Sequence, residues 1–291
     1  MKELRINEDI FHLPGTWNQL TQAQFFRVCS LSLHNYGHSD FTLKLFLFIT
    51  GLKVVTKEEK TVDDGTLFYL QKDKNTIYLL SSDDLAEICA KLDFLFEEEE
   101  HGDKTRWILS SRLTKNIIGP VETKSGLWYG PSHGITNLKT DEYIRAETSM
   151  FQYHKTQDEV YLNKLIATLW RPAALNPASD DIRIPFDDGK VEANAAIAAQ
   201  LPGYIKQAIY LFYSGSRRFL ASRFPNSSQG TTGTDKDIFL LFLKMVNGLA
   251  NNDVTKHEAV RASYLIDTMI CIDEFARQHV EMEKITKRNR R

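Results

Sequence analysis

Cysteine is scarce in this 291-residue chain, which has three cysteines and no C-x-x-C pair. Cys29, Cys89 and Cys271 lie far apart in the sequence, each inside an apolar helical pattern. The chain therefore lacks the paired thiols of a redox or zinc motif. Because free cysteine tends to lie in protein cores, we predict three buried free thiols, which suit a reducing cytoplasm.

Long apolar runs and an excess of one charge are also missing. No uninterrupted apolar run approaches the ~20 residues that span a bilayer, and the first residues, MKELRINEDIFHL, are charged where a signal peptide is apolar. Lys and Arg (36) nearly balance Asp and Glu (38). We expect a cytosolic protein with no membrane partner. The balance also argues against nucleic acid, although the end of the chain, ITKRNRR, is a small basic patch.

Recognisable catalytic and metal motifs are absent. The eight histidines include no H-E-x-x-H, and the nearest ligand pair, His279 with Glu283, is interpreted as a solvated salt bridge. His133 in GPSHG is the best catalytic candidate, but no sequence partner identifies a triad, so we interpret it as part of a turn. We predict no enzyme, no cofactor and no catalytic, cofactor-binding or metal-binding residue.

Small residues and acid pairs have simple interpretations. YSGSRRF contains no phosphate-binding loop, and its Ser214, Gly215 and Ser216 predict a close helix contact. Adjacent acids are normally both solvated, so we interpret the carboxylate pairs as surface groups. These pairs are Asp180 with Asp181, Asp187 with Asp188, and Glu142 with Glu147.

Aromatic residues are plentiful, with 17 Phe, 11 Tyr and 4 Trp. Most of them must form the core. Several helices carry apolar residues on more than one face, which indicates that a partner or a second copy of the chain covers part of the surface. A homo-oligomer is therefore left open.

Helix signals begin early in the chain. Thr21 is placed to cap a helix, with Gln24 in the capping-box position and Leu20 placed to pack on Phe25. Ser39 or Asp40 starts a second helix, which Gly51 ends.

The spacing of apolar residues changes in the middle of the N-terminal half. Two short runs of apolar residues around Lys72–Asn75 predict a β-hairpin. Ser82 is placed to cap the next helix, which we predict to continue into an acidic, frayed end at Glu97–Glu100. Residues 102–139 predict short strands and turns.

The rest of the chain predicts helices. Thr140 caps the first helix of a hairpin with a polar break near Lys155–Gln157, and Pro172 ends the second. Another helical stretch breaks at Leu201–Gly203, residues 225–235 form a polar linker, and amphipathic helices follow, the last over residues 255–291.

These patterns together predict a mainly α protein with a minor β part (α+β). Helical hairpins pack around an aromatic-rich core, and a small hairpin or short-strand region lies in the N-terminal half. We predict three regions: residues 1–139 with helices and short strands, 140–225 with the helical hairpin and a long helix, and 226–291 with the C-terminal helices.

The opening stretch predicts the position of a tryptophan. Pro14 restricts Leu13 to extended conformations, Gly15 permits a tight turn and Thr21 begins the helix, so Trp17 is carried to the point where the chain enters the core. We predict that Trp17 is buried and structural. The alternative is an exposed anchor for a binding partner.

Three segments resemble proteins from phages and prophages of Bacteroidetes bacteria. LPGTWNQLTQAQFFRV resembles their N-terminal opening, the segment from TDEYIRAE to LWRP resembles their helical hairpin, and AIYLFYSGSRRFLASRFP also fits, in the same order. The resemblance implies a tail assembly chaperone or a minor tail component, and it carries no catalytic motif.

We therefore expect a chaperone of the host bacterial cytoplasm that binds a phage tail protein, such as the tape-measure protein. The alternatives are a structural component of the virion, in the tail, connector or baseplate, and an enzyme with an unrecognised site.

Overall fold

The computed structural model describes residues 1–59, 66–101, 104–177, 181–227 and 238–289. The chain divides into two compact units. Unit 1 contains residues 1–113 and 203–211, and unit 2 contains residues 114–202 and 212–291. Most of the predicted linker over 225–235 lies outside the described residues, as does the very end of the basic tail.

Unit 1 combines antiparallel strands with helices. Its strands are β1 (Lys2–Ile6), β2 (Asp9–Leu13), β3 (Lys53–Glu59), β4 (Thr66–Gln71), β5 (Ile77–Ser81), β6 (Phe96–His101) and β7 (Lys104–Leu109). Its helices are α1 (Gln22–Ser32), α2 (His38–Thr50) and α3 (Ser82–Ala90). The strands form the sheets β1-β2, β3-β4-β5 and β6-β7.

Unit 2 is mainly helical. Its strands β8 (Val121–Thr123), β9 (Gly126–Tyr129) and β10 (Arg171–Pro172) form one antiparallel sheet. Its helices are α4 (Thr140–Thr156), α5 (Glu159–Leu169), α6 (Val191–Ala198), α7 (Gly203–Arg223), α8 (Ile238–Leu249), α9 (His257–Ala262) and α10 (Leu265–Asn289). Residues 203–211 of α7 belong to unit 1.

The predicted fold class is confirmed, because the chain is mainly α-helical with small sheets and clustered aromatic residues. In unit 1, Phe41 and Phe96 form an edge-to-face pair with ring centres 5.2 Å apart. In unit 2, Trp170 and Phe212 do the same at 5.9 Å. Among the described residues, none of the helices combines the length and apolar character that a membrane crossing requires.

The capping box at Thr21 is confirmed. The Gln24 backbone N–H donates to Thr21 Oγ1 at 3.2 Å, and the Thr21 N–H donates to Gln24 Oε1 at 2.9 Å. Trp17, on the short 3₁₀ turn before this helix, is 2% exposed and packs edge-to-face on Phe25, with ring centres 6.3 Å apart. The predicted burial of Trp17 is therefore confirmed.

The β1-β2 hairpin was not predicted from the charged N-terminal sequence. Leu4 and Ile6 alternate with charged residues and are buried, as is Leu13 on the paired strand. Asn7 adopts a left-handed conformation, with φ 54°, in the connecting turn. The signal for this hairpin was the alternation itself, which the charges obscured.

Several predicted caps are one to three residues from the observed ones. Gly37, and neither Ser39 nor Asp40, precedes α2, while Gly51 ends that helix as predicted, with φ 72°. Ser81 caps α3 in place of Ser82, since its hydroxyl accepts from the Asp84 N–H.

Lys139 takes the N-cap position of α4 that was predicted for Thr140. The Thr140 hydroxyl instead lies 2.6 Å from the Thr268 hydroxyl, 128 residues away. The predicted breaks are confirmed at Gln157, which has φ 57°, and between α6 and α7. The second helix of the hairpin ends at Leu169, before Pro172.

The predicted acidic, frayed helix end at Glu97–Glu100 is wrong, since these residues belong to β6. The helix stops at Ala90, and the acidic run pairs with β7, where Glu99 lies opposite Arg106. An opposite charge across the strands favours this pairing, and the paired backbone no longer meets an unfavourable helix dipole. The other predicted hairpin, around Lys72–Asn75, is confirmed as β4-β5.

The predicted single helix over residues 255–291 is divided in two. Ser263 is extended between α9 and α10, and its carbonyl accepts from the Thr140 N–H at 2.9 Å. The Leu265 N–H donates to the Leu138 carbonyl at 2.9 Å. These bonds to a distant segment replace the helical bonds that the sequence pattern predicted.

Candidate functional site

Two carboxylates of α4 point into unit 2, so the prediction that Glu142 and Glu147 are solvated is wrong. Glu142 is 1% exposed and Glu147 is 4% exposed. Both lie on an amphipathic helix that buries one face, and the sequence pattern alone did not place acids on that face. Each is compensated by arginine.

Glu142 is the centre of a buried ion-pair network. It forms an ion pair with Arg171, and the Nη2 atom of Arg183 lies 3.7 Å from its carboxylate. Arg183 also pairs with Asp181 at 2.7 Å. Burial lowers the pKa of Arg171, an effect that the negative charge of Glu142 opposes.

The two arginines of this network also bond to the backbone. Arg171 Nη1 donates to the Thr168 carbonyl at 2.6 Å, and its Nε donates to the Ile184 carbonyl at 2.9 Å. Arg183 Nη1 donates to the Leu169 carbonyl at 2.7 Å. The network therefore fastens the end of α5 and residues 181–184 to α4, which is a structural task.

Glu147 joins α4 to α7. Its Oε1 atom lies 2.5 Å from Arg217 Nε and accepts a hydrogen bond from the Tyr213 hydroxyl at 2.7 Å. The charge of Glu147 raises the pKa of Arg217, and burial, followed by that same charge, raises the pKa of Tyr213 well above its usual range. Arg217 keeps its positive charge beside Glu147, so this arrangement is a fixed ion pair.

His133 lies on a short 3₁₀ turn beside an open cleft of about 260 Å³. The cleft is lined by Asn116, Gly119, Pro120, Tyr129, Gly130, Pro131, Ser132, His133 and Ile182. The Nδ1 atom of His133 accepts from the Asn116 backbone N–H at 2.9 Å. Within the described ranges no acidic side chain bonds to His133, so the imidazole holds a loop together and has no triad partner there.

The remaining candidate residues are dispersed. Ser214, Gly215 and Ser216 lie inside α7, with Gly215 and Ser216 buried. Asp187 caps the short 3₁₀ turn at 188–190, and Asp188 pairs with Arg145 at 3.3 Å.

His279 is exposed on α10, whereas Asp180 and the Glu283 side chain lie outside the described residues. Over the ranges that the structure describes, no group of three or more His, Cys, Asp or Glu side chains is arranged to hold a metal ion.

An exposed row of side chains follows α10 in unit 2. We name it the α10 stripe, and it comprises Cys271, Phe275, Gln278, Met282 and Ile285, all exposed. The exposed fractions are 53% for Phe275, 62% for Met282 and 57% for Ile285. The prediction that Cys271 is buried is therefore wrong, whereas buried Cys29 and Cys89 are confirmed.

The sequence signal for this surface was the apolar content on more than one helix face. It indicated a covered surface but did not say which helix carries it.

Comparison of the chain with protein-family models, with curated proteins and with solved structures finds no match.

Proposed function

We propose that this chain is a non-enzymatic phage assembly protein of the host cytoplasm, namely a tail assembly chaperone. Its client is a phage tail component such as the tape-measure protein. The sequence resemblance of three segments to proteins of Bacteroidetes phages supports the proposal. The structural observation that carries it is the α10 stripe.

The stripe has the chemistry of an interaction site. Large apolar side chains that are contiguous and exposed mark surfaces that bind other proteins. Phe275, Met282 and Ile285 recur at helical spacing and each is more than half exposed. An apolar row on one helix is complementary to an amphipathic helix of a client, which is one of the recurring modes of peptide recognition.

Co-expression with the tape-measure protein from the same phage tests the proposal. The wild-type chain is expected to keep the client in the soluble fraction. The double variant Phe275→Glu, Met282→Glu is expected to lose this effect, because a carboxylate on the stripe must be desolvated when the client binds.

Val254→Glu is the control, since Val254 is 72% exposed and lies outside α10, on the short turn Val254–Lys256. It adds one carboxylate at an exposed position outside the stripe, where the stripe variant adds two, and it is expected to keep the client soluble. The proposal is wrong if the client is equally soluble without the chain, or if the stripe variant protects it as well as the control does.

Mass spectrometry of purified virions separates the chaperone from a structural virion component, which the same resemblance allows. A chaperone is lost during purification. Stoichiometric copies in the particle would identify a tail, connector or baseplate subunit instead.

A further inference from the structure

The spacing of the side chains in the α10 stripe indicates that the stripe binds a second helix. Successive members of the stripe are separated by four, three, four and three residues, from Cys271 to Ile285. This alternation is the a and d spacing of a two-helix seam, in which side chains of one helix insert between those of the other. Fifteen residues of α-helix give the seam a length of ~22 Å.

The middle of the stripe lies on an exposed part of α10. Residues 277–282 are all exposed, which is more than a full helical turn, so among the described residues no neighbouring element buries this part of the helix. The start of the helix is held in unit 2 instead, where Leu265 is 1% exposed and Thr268 is 5% exposed. A second helix can therefore lie along the stripe only beyond the first turns of α10.

The charges along α10 are complementary to those of a second α10 that runs in the opposite direction. Residues 265–283 contain five acidic residues and one arginine, whereas the last part of the helix, residues 284–289, contains three basic residues and no acid. An antiparallel copy brings the basic end of each chain to the acidic part of the other, twice about one twofold axis. A parallel copy would place like charges together.

We propose that the α10 stripe binds the α10 stripe of a second copy of this chain, with the two helices antiparallel. An a position packs beside a d position in this orientation. The register that pairs the last four members of the stripe puts the twofold axis at the level of residue 280. Phe275 then lies beside Ile285 of the second copy, and Gln278 lies beside Met282.

The orientation also follows from where α10 is buried. Since the contacts of the described residues hold the first part of the helix, as far as Asp273, in unit 2, an antiparallel pair places the two copies of that unit at opposite ends of the seam. A parallel pair would bring both copies to the same end. The pairing itself needs no client, and only its exchange for a client helix rests on the proposed function.

Light scattering coupled to size-exclusion chromatography tests the pairing without any client. The wild-type chain and Val254→Glu are expected to have twice the mass of the double variant Phe275→Glu, Met282→Glu. Far-UV circular dichroism checks that all three are folded. A wild-type chain that stays monomeric at tens of micromolar, or a stripe variant that stays dimeric, overturns the proposal.

The native Cys271 measures the orientation in the unsubstituted chain. Cys271 is exposed while Cys29 and Cys89 are buried, so a spin label attaches selectively to it. With the axis near residue 280, the two Cys271 Cα atoms are separated by ~27 Å along the seam. A short distance, or rapid formation of a Cys271 disulfide between chains, would show a parallel pair and refute the antiparallel arrangement.

The two proposals can fail separately. A stripe-dependent dimer that does not keep the tape-measure protein soluble leaves the pairing intact and removes the proposed function. A monomer that protects the client removes the pairing alone.

Discussion

Trp17 illustrates how one residue secures the entry of the chain into the core of unit 1. Its ring is 2% exposed and contacts Phe25, the first buried residue of α1. Trp17→Ala is expected to lower the free energy of unfolding by about 3–5 kcal/mol, the cost of deleting a core aromatic side chain. Urea denaturation measures this change.

Leu33→Ala is the control for Trp17, because Leu33 is 54% exposed and its truncation is expected to have little effect on unfolding. In a variant whose only tryptophan is Trp17, fluorescence should be blue-shifted and protected from quenchers. Red-shifted emission that moves to the blue only when a tail protein is added would support the alternative, an exposed anchor.

The three thiols are expected to differ sharply in reactivity. Burial raises the pKa of Cys89 to about 11 and raises the pKa of Cys29 as well, so both are protonated and shielded at pH 8. A disulfide reagent such as Ellman's should therefore modify one thiol per native chain and three in denaturant. Cys271→Ser should abolish the native reaction, and rapid modification of that variant would contradict the burial of Cys29 and Cys89.

Tyr78 is expected to make the stability of unit 1 fall at alkaline pH. Burial, followed by its hydrogen bond to Asp9, raises the pKa of Tyr78 to about 12. Since a tyrosine in the unfolded chain releases its proton near pH 10, the stabilisation from this group is complete below that pH and is lost as the pH rises toward 12.

Unfolding free energies measured between pH 9 and pH 12 test this pH dependence of stability. Tyr78→Phe should flatten the fall in stability with pH, while the exposed Tyr36→Phe should leave the fall unchanged. Identical pH profiles for the wild type and Tyr78→Phe would rule out this role of Tyr78.

At the scale of single elements, close packing against Trp170 requires a glycine at position 130, directly after β9. An ideal Cβ built on Gly130 would lie 2.3 Å from the indole of Trp170, which is itself fully buried. Gly130→Ala is expected to destabilise unit 2 by about 1–3 kcal/mol, as overpacking usually does. Thermal and urea unfolding measure the loss.

The control for this substitution is Gly37→Ala, because a Cβ at Gly37 would meet no atom within 4 Å. We expect Gly37→Ala to cost less than Gly130→Ala, since it creates no clash and loses only the preference for glycine over alanine at the N-cap of α2. An equally small effect at Gly130 would mean that Trp170 can move aside.

Elements whose signals are local were predictable from the sequence. The capping box of α1 joins Thr21 to Gln24, and the β4-β5 hairpin joins segments on either side of a short polar turn. In both cases the interacting residues are close in the chain. The acidic run of β6 was misassigned because its strand partner β7, including Arg106, is what makes that backbone extended.

At the scale of the whole molecule, the buried network of Glu142 links segments that are far apart in the sequence. Glu142→Gln leaves the guanidinium groups of Arg171 and Arg183 with less compensation in a buried site. We expect a loss of about 3–5 kcal/mol in unfolding free energy, as when one partner of a buried ion pair is removed. Chemical denaturation of the variant gives this value.

Glu274→Gln is the matched control, since Glu274 pairs with Arg277 on the exposed part of α10. Exposed ion pairs contribute little to stability, so no measurable change is expected. If Glu142→Gln is as stable as Glu274→Gln, then Glu142 is not essential to the packing of unit 2.

The sequence by itself determined what depends on neighbouring residues: the mainly helical class, the capping box at Thr21, the hairpin between β4 and β5, and a buried Trp17. Tertiary structure alone decided which way each helix face points. It buried Glu142 and Glu147, left Cys271 in solvent and divided the last helix at Ser263. The physical reason is that an amphipathic pattern fixes the spacing of side chains on a helix, whereas the segments packed against that helix determine which face is covered.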